Sequence, residues 1–424
     1  MTTNFLYKFG FAVLINLTIP FSGNAQKFPD VGYEPPSDWN KNVFKLSQDY
    51  PTSIPKKEKL PWEHIDFRKE PERYLWSVLD YSYEGNVEVD FVVENNKKRK
   101  WYHAPWLHYG NNGREFVRGL TRERTSRAYE LASTQTEAYR NYAVGFYDER
   151  GGFVMGQVWD NPTKPNPKLA SFPEGTVSFK LLFTTAPHDR VPFLDGSPEW
   201  VADIDKAESA ELIQKTKVRL LQIDIAVKDK RSLKGGWIFG TFHYDSAIAN
   251  LNPWRRLRAL SLMWGDDPKL LPDIKSSVPA ESWVNQLSPI VKYRSNPPSG
   301  VRTPSTLGWA GRANGPVDNS ASSCMSCHGT AQLPASSGMI PPANANNSTK
   351  LTWFRNLKPG KAFDSDSVSL DYSLQLGLGI QNLYRFQASI NNMSGFYTLE
   401  LMQSRAANTD SRKPEFLFTR DPQD

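Results

Sequence analysis

The chain has 424 residues, of which 39% are hydrophobic and 12% aromatic, and its formal net charge is +6. That composition excludes an intrinsically disordered chain, and the length predicts two or three domains with ample material for a core. So mild a charge, with no recognisable nucleic-acid module, excludes nucleic acid as an expected partner.

Residues 1–25 read as a secretory signal: Lys8 gives a weak positive region, Phe9 to Phe21 an apolar run, and Gly23-Asn24-Ala25 small residues for cleavage. The run is short for a membrane span, and no later segment reaches the necessary length, so no transmembrane segment is expected once the signal is removed. Residues 26 to about 70 are rich in Pro and Lys and read as an extended surface arm. Tyr74, Leu75, Val78 and Leu79 form a short helical stripe, and Val87, Val89 and Phe91 alternate with acidic residues as a strand would. Lys97-Lys98-Arg99-Lys100 is the densest basic run, a solvated loop or a docking patch for an acidic redox partner.

Trp101 to Tyr109 is the most aromatic stretch; His103 and His108 lie in it, and Pro105 argues against one helix across both. Thr121 to about Ala143 reads as helical, and Asp148-Glu149-Arg150-Gly151-Gly152 as a turn between strands Tyr142–Tyr147 and Phe153–Trp159. Alternation predicts a strand near 177–183, and 218–227 and 237–244 read as two more, with a helix over Glu208 to Gln214. His188 and His243 join His103 and His108 as scattered histidines that packing explains more simply than a copper or zinc centre. Arg255, Arg256 and Arg258 fall on an expected helix running to Trp264, as a basic face or as partners for acidic groups. Phosphate-loop, dinucleotide, serine-hydrolase and zinc-protease motifs are absent.

Strand follows strand here without regular helical crossovers. The predicted class is therefore α+β: an antiparallel, sandwich-like β-rich domain over residues 26–290, then a mainly α domain over 291–424. The second begins with a Pro-rich linker containing Asn296-Pro297-Pro298-Ser299-Gly300. Within it, a short helix is expected over Leu351 to Leu357 and a longer one over Ser367 to about Gln387, with Leu376, Ile380, Leu383 and Tyr384 as its stripe.

The only two cysteines stand in Ser323-Cys324-Met325-Ser326-Cys327-His328-Gly329. C-x-x-C-H is the pattern of covalent c-type haem attachment. Two thiols on one turn reach the two vinyl groups of one porphyrin, and the adjacent imidazole reaches the iron. A thioredoxin-like pair expects a strand before the motif, whereas a Gly/Ser-rich loop precedes it. A disulfide across three residues closes too small a loop to stabilise much, and no further Cys or His stands close by to complete a zinc site.

With helices downstream, this motif resembles the c-type cytochromes, and residues 300–424 are similar to a class I cytochrome c domain. The resemblance implies one haem c, thioethers at Cys324 and Cys327, and His328 as the proximal iron ligand. The pattern departs from class I in lacking a helix before the motif. Its ligand methionine usually lies in a Pro-bearing loop well downstream, whereas Met339 stands in Gly338-Met339-Ile340-Pro341-Pro342, eleven residues past His328. Eleven residues reach at most roughly 35–40 Å, enough to round a porphyrin. Met339 is thus expected as the sixth ligand ahead of Met393, with Met402, a histidine or an open site as alternatives. The functional expectation is a periplasmic or otherwise secreted bacterial monohaem cytochrome that passes single electrons to a redox partner protein. A haem peroxidase or oxygenase using His103 or His108, and a haem-based sensor or binding protein, are the alternatives. The oligomeric state is left open.

Overall fold

The computed structural model describes residues 28, 35–107, 113–232, 235–272 and 278–392. The expected signal (1–25), His108, Met393 and Met402 lie outside the described residues.

The centre of the protein is an eight-stranded antiparallel sheet. Its strands are β1 (Thr121–Arg122), β2 (Asn141–Tyr147), β3 (Val177–Thr184), β4 (Glu199–Val201), β5 (Lys217–Lys228), β6 (Trp237–Tyr244), β7 (Leu257–Met263) and β8 (Ser282–Val284). They lie in the order β1-β2-β3-β5-β6-β7-β8, with β4 also on β5. The α+β class and the antiparallel sheet agree with the sequence reading. The sandwich does not: the one other sheet among the described residues is a two-stranded ribbon of β9 (Gln332–Leu333) and β10 (Val368–Ser369). Helices and irregular chain cover both faces of the large sheet instead.

Helix α1 (Pro71–Tyr83) covers one face. Pro71 suits the first turn, where its missing N–H leaves no bond unmade. Tyr74, Leu75, Val78 and Leu79 are fully buried, and such burial contributes roughly 1.5–3 kcal/mol per aliphatic side chain. Leu75 seats directly over Gly240 of β6, where a β-carbon would meet it at 2.2 Å. Trp62, Ile65 and Phe67 of the preceding arm join the same core, so that arm is anchored by its apolar residues.

The opposite face is covered by α2 (Glu149–Val158), α5 (Cys324–Gly329) and α7 (Leu374–Asn392). Trp159, Phe172, Trp237, Phe239 and Met263 pack there with Met325, Leu370, Leu376, Ile380 and Leu383. Residues on the two sides of position 290 therefore share one core. The remaining helices are α3 (Ala210–Lys215), α4 (Pro289–Ser295) and α6 (Asn347–Leu351).

Several local expectations are corrected. Residues 87–91 form turns, with Asp90 and Phe91 at φ 49° and 59°: Phe91 turns inward to stack near Trp254 (4.7 Å between centroids), and Asp90 accepts a bond from Trp200 Nε1. The stretch 121–143 is not helical. Its ends are strands, and Arg124 spends its charge on Glu130 (2.9 Å) instead of on a helix face. Residues 153–158 belong to helix α2, with Trp159 as its C-cap, because Asp148 caps its start by accepting from Gly151 N at 2.9 Å. Residues 257–263 are a strand whose two faces are both buried, so no alternation marked it. The short C-terminal helix sits earlier, at Asn347–Leu351, because Asn346 caps it there. The long one starts later, at Leu374, because Val368–Ser369 pair with Gln332–Leu333.

Candidate functional site

The chain enters α5 through Ser323, whose hydroxyl accepts from Ser326 N (3.1 Å) while Ser326 Oγ accepts from Ser323 N (2.8 Å). This reciprocal cap fixes a short helix that needs fixing, since one turn and a half is unstable alone. Cys324, Cys327 and His328 line a single open cavity of about 300 Å³. That lies at the lower end of the ~300–1,000 Å³ ordinary for ligand and cofactor sites. Met339 and Ile340 line the same cavity. All four site residues expected from sequence are thus brought together.

The cavity floor is the sheet. Ser178 and Lys180 of β3, Asp224 and Ala226 of β5, and Phe239 and Thr241 of β6 share one face by register and line it. Leu374, Gln375 and Leu378 of α7 form a wall. The stripe of α7, Leu376, Ile380 and Leu383, packs in the core as expected, whereas Tyr384 is exposed. Gln375 lies across Gly145 of β2, where a β-carbon would stand 2.1 Å from its amide nitrogen and push that amide aside.

His328 is held in one tautomer. Its Nδ1 lies 2.9 Å from the Tyr372 carbonyl, which makes Nδ1 the donor and leaves the Nε2 lone pair available. Burial pushes its pKa down to about 4, so the ring is neutral at pH 7. Phe239 packs on it at 4.5 Å between centroids. The carbonyl is itself held: Asp371 and Tyr372 both adopt left-handed backbone, at φ 47° and 67°, which non-glycine residues adopt only when their surroundings impose it. Asp371 supplies that constraint through Lys228 (2.5 Å), Trp237 Nε1 (3.0 Å) and Phe172 N (2.8 Å).

Both thiols are protonated at neutral pH. Burial holds the Cys324 pKa well above the usual thiol value and pushes that of Cys327 up to about 12. A thioredoxin-like pair needs the opposite, a stabilised thiolate.

The donor set fits a haem. Of the other polar groups in the cavity, Lys180 is pulled down by burial, but Glu123, Asp224 and Asp318 outweigh this and keep it charged. Tyr147 bonds to Ser373 Oγ at 2.8 Å, and burial pushes its phenol up to about 12. Neither offers a lone pair to iron at neutral pH, whereas the Met339 thioether always does.

The other candidates are placed elsewhere. His103 accepts from Ser47 N at 2.9 Å, packs between Phe44 and Phe146, and is held neutral by burial and by Arg114. His243 is satisfied by the Tyr244 carbonyl (2.7 Å) and Ser288 (3.0 Å), while His188 lies at the surface beside Asp195. No group of three His, Cys, Asp or Glu side chains is placed to hold a metal ion among the described residues. Arg255 pairs with Asp80 and Arg258 with Asp245, not with the cavity. In the basic run, Lys98 and Arg99 pair with Glu88 and Glu84.

Asp371, Tyr372, Lys180 and Asp224 escaped the sequence reading. A carbonyl leaves no trace in sequence, but a Lys and an Asp amid the apolar residues of two long strands are a readable signal of a polar cavity.

Asp266 accepts from Ser323 Oγ at 3.2 Å and is 2% exposed, while the Arg312 guanidinium beside it bonds to backbone carbonyls. Burial pushes its carboxyl up to about 8. A carboxyl raised on folding contributes stability that is complete below its unfolded pKa of about 4 and lost as pH rises through the folded value. Unfolding by urea is therefore expected to become easier by a few kcal/mol between about pH 5 and about pH 9. Asp266→Asn should flatten that dependence.

No described helix is long and apolar enough to cross a membrane. No family model, curated protein or solved structure matches the chain.

Proposed function

We propose that this protein is an exported, periplasmic or secreted, bacterial monohaem c-type cytochrome that passes single electrons to a redox partner protein. The observation that carries the reading is the convergence of Cys324, Cys327, His328 and Met339 on one cavity, with His328 Nδ1 bonded to a backbone carbonyl. Covalently bound haem would supply a one-electron couple. Cys324 and Cys327 would hold it by thioethers, so that it survives repeated redox cycles. The Tyr372 carbonyl fixes the His328 tautomer, so that Nε2 would be the atom to hold the iron. Met339 would hold the iron together with His328, and its thioether would raise the potential. Phe239, Leu374 and Leu378 line the cavity with apolar side chains that would help to keep water from the bound group. The β-sheet then provides half of the haem site, and the likeness to a class I cytochrome c domain rests on the motif alone.

Electron transfer is favoured over peroxidase or oxygenase chemistry because His103, the described candidate for a distal acid–base group, is outside the cavity lining and bonded elsewhere. Carbon monoxide added to the reduced protein tests this. A six-coordinate iron that leaves carbon monoxide unbound over minutes is expected. Rapid, complete binding would replace the electron carrier with an open-site enzyme.

A further inference from the structure

The cavity floor carries charge that axial ligation does not use. Lys180 and Asp224 are cross-strand partners on β3 and β5, 3.2 Å apart. Fully buried Gln222 donates its amide to Asp224 at 2.7 and 2.9 Å and to Asp318 at 3.3 Å, and its Oε1 has no partner. One nitrogen thus holds two carboxylates together. Burial raises the Asp224 carboxyl; the Lys180 charge opposes this and the Asp318 charge adds to it. Thr241 Oγ1 adds a bond to Asp224 (2.9 Å) and Gly315 N one to Asp318 (3.0 Å). Glu123, Arg122 and Arg124 face the same space from the β1 edge, with Arg124 bonded to Glu130 and to the Val317 carbonyl. Burial raises the carboxyl pKa of Glu123 and of Asp224. None of these groups hydrogen-bonds to His328, whose bond is to Tyr372.

Resting on the haem reading above, we propose that the Asp224–Gln222–Asp318 bridge, with Lys180 and Glu123 beside it, is a proton-binding site linked to the haem electron. When the iron gains one electron from a donor redox protein, the cavity loses one positive charge. A carboxylate of the bridge then takes one proton from water, forming an O–H bond. When the electron leaves to an acceptor protein, the O–H bond breaks and the proton returns to solvent. Charge in the cavity is conserved through the cycle.

The test is the midpoint potential of the haem-loaded full chain, measured by optical redox titration from about pH 5 to about pH 9. The expected result is a window in which the potential falls toward about 59 mV for each tenfold drop in proton concentration. That slope should vanish in Asp224→Asn/Asp318→Asn. Where that variant fails to fold, proton uptake by the wild-type protein on reduction at an electrode in weakly buffered solution decides, with up to one proton per electron expected. A haem-loaded protein with a flat potential and no proton uptake overturns the proposal while leaving the electron-transfer reading intact. A slope that survives in the double variant overturns the assignment to these carboxyls. A preparation without covalent haem overturns both readings together.

Discussion

Met339→Ala is expected to lower the midpoint potential by on the order of 0.1 V, within the ~0.8 V that axial ligands command. It should also abolish the long-wavelength sulfur-to-iron charge-transfer band of the oxidised protein. The argument runs through the donors that share the cavity. Lys180 is kept protonated by Glu123, Asp224 and Asp318, and Tyr147 is kept protonated by burial. Removing the thioether leaves oxygen donors, water, hydroxide or a cavity carboxylate, as substitutes, and each favours the ferric state relative to methionine. Met339 lies half-buried in a loop that also borders a small cleft with Gly377 and Gln381 of α7, so truncation should cost little folding stability. A band and potential unchanged in Met339→Ala would assign the sixth position to another group.

Cys324→Ala/Cys327→Ala should remove every covalent bond to the cofactor and leave the polypeptide mass alone on denaturing mass spectrometry. The two sulfurs lie one helical turn apart on α5, on the cavity side, and no other cysteine exists to replace them. Buried, protonated thiols are poor metal ligands and poor redox nucleophiles, but each can add across a vinyl group once the porphyrin is presented. Met325, between them in sequence, is fully buried in the core. The helix should therefore stay in place in the variant, which would then bind haem at most reversibly through His328 and Met339.

The parts of this account that were legible in sequence are those whose signal is local. Cys324, Cys327 and His328 are neighbours in the chain, and the Pro-bearing loop around Met339 is close behind. Strand β3 alternates strongly enough to be read residue by residue, and β5 and β6 are marked by β-branched and aromatic residues. Strand β7 was not read, because Leu257 to Met263 lacks a period and is rich in Leu, Ala and Met, which favour helix. Helix α2 was mistaken because a capping Asp148 followed by Gly151-Gly152 has the composition of a turn. The charged floor was invisible for a different reason: Lys180 and Asp224 meet only once β3 pairs with β5, and Asp318 reaches them from the chain ahead of α5. The Tyr372 carbonyl depends on two left-handed residues that only Lys228, Trp237 and Phe172 hold in place.

The central claim is that the sheet-floored cavity holds a covalently attached haem. Denaturing mass spectrometry of the mature protein, produced in a bacterium with working haem-attachment machinery, tests it most directly. The account predicts a polypeptide heavier by one haem, with the added mass on the peptide spanning Cys324 to His328. A mature chain at its bare polypeptide mass under those conditions would contradict it.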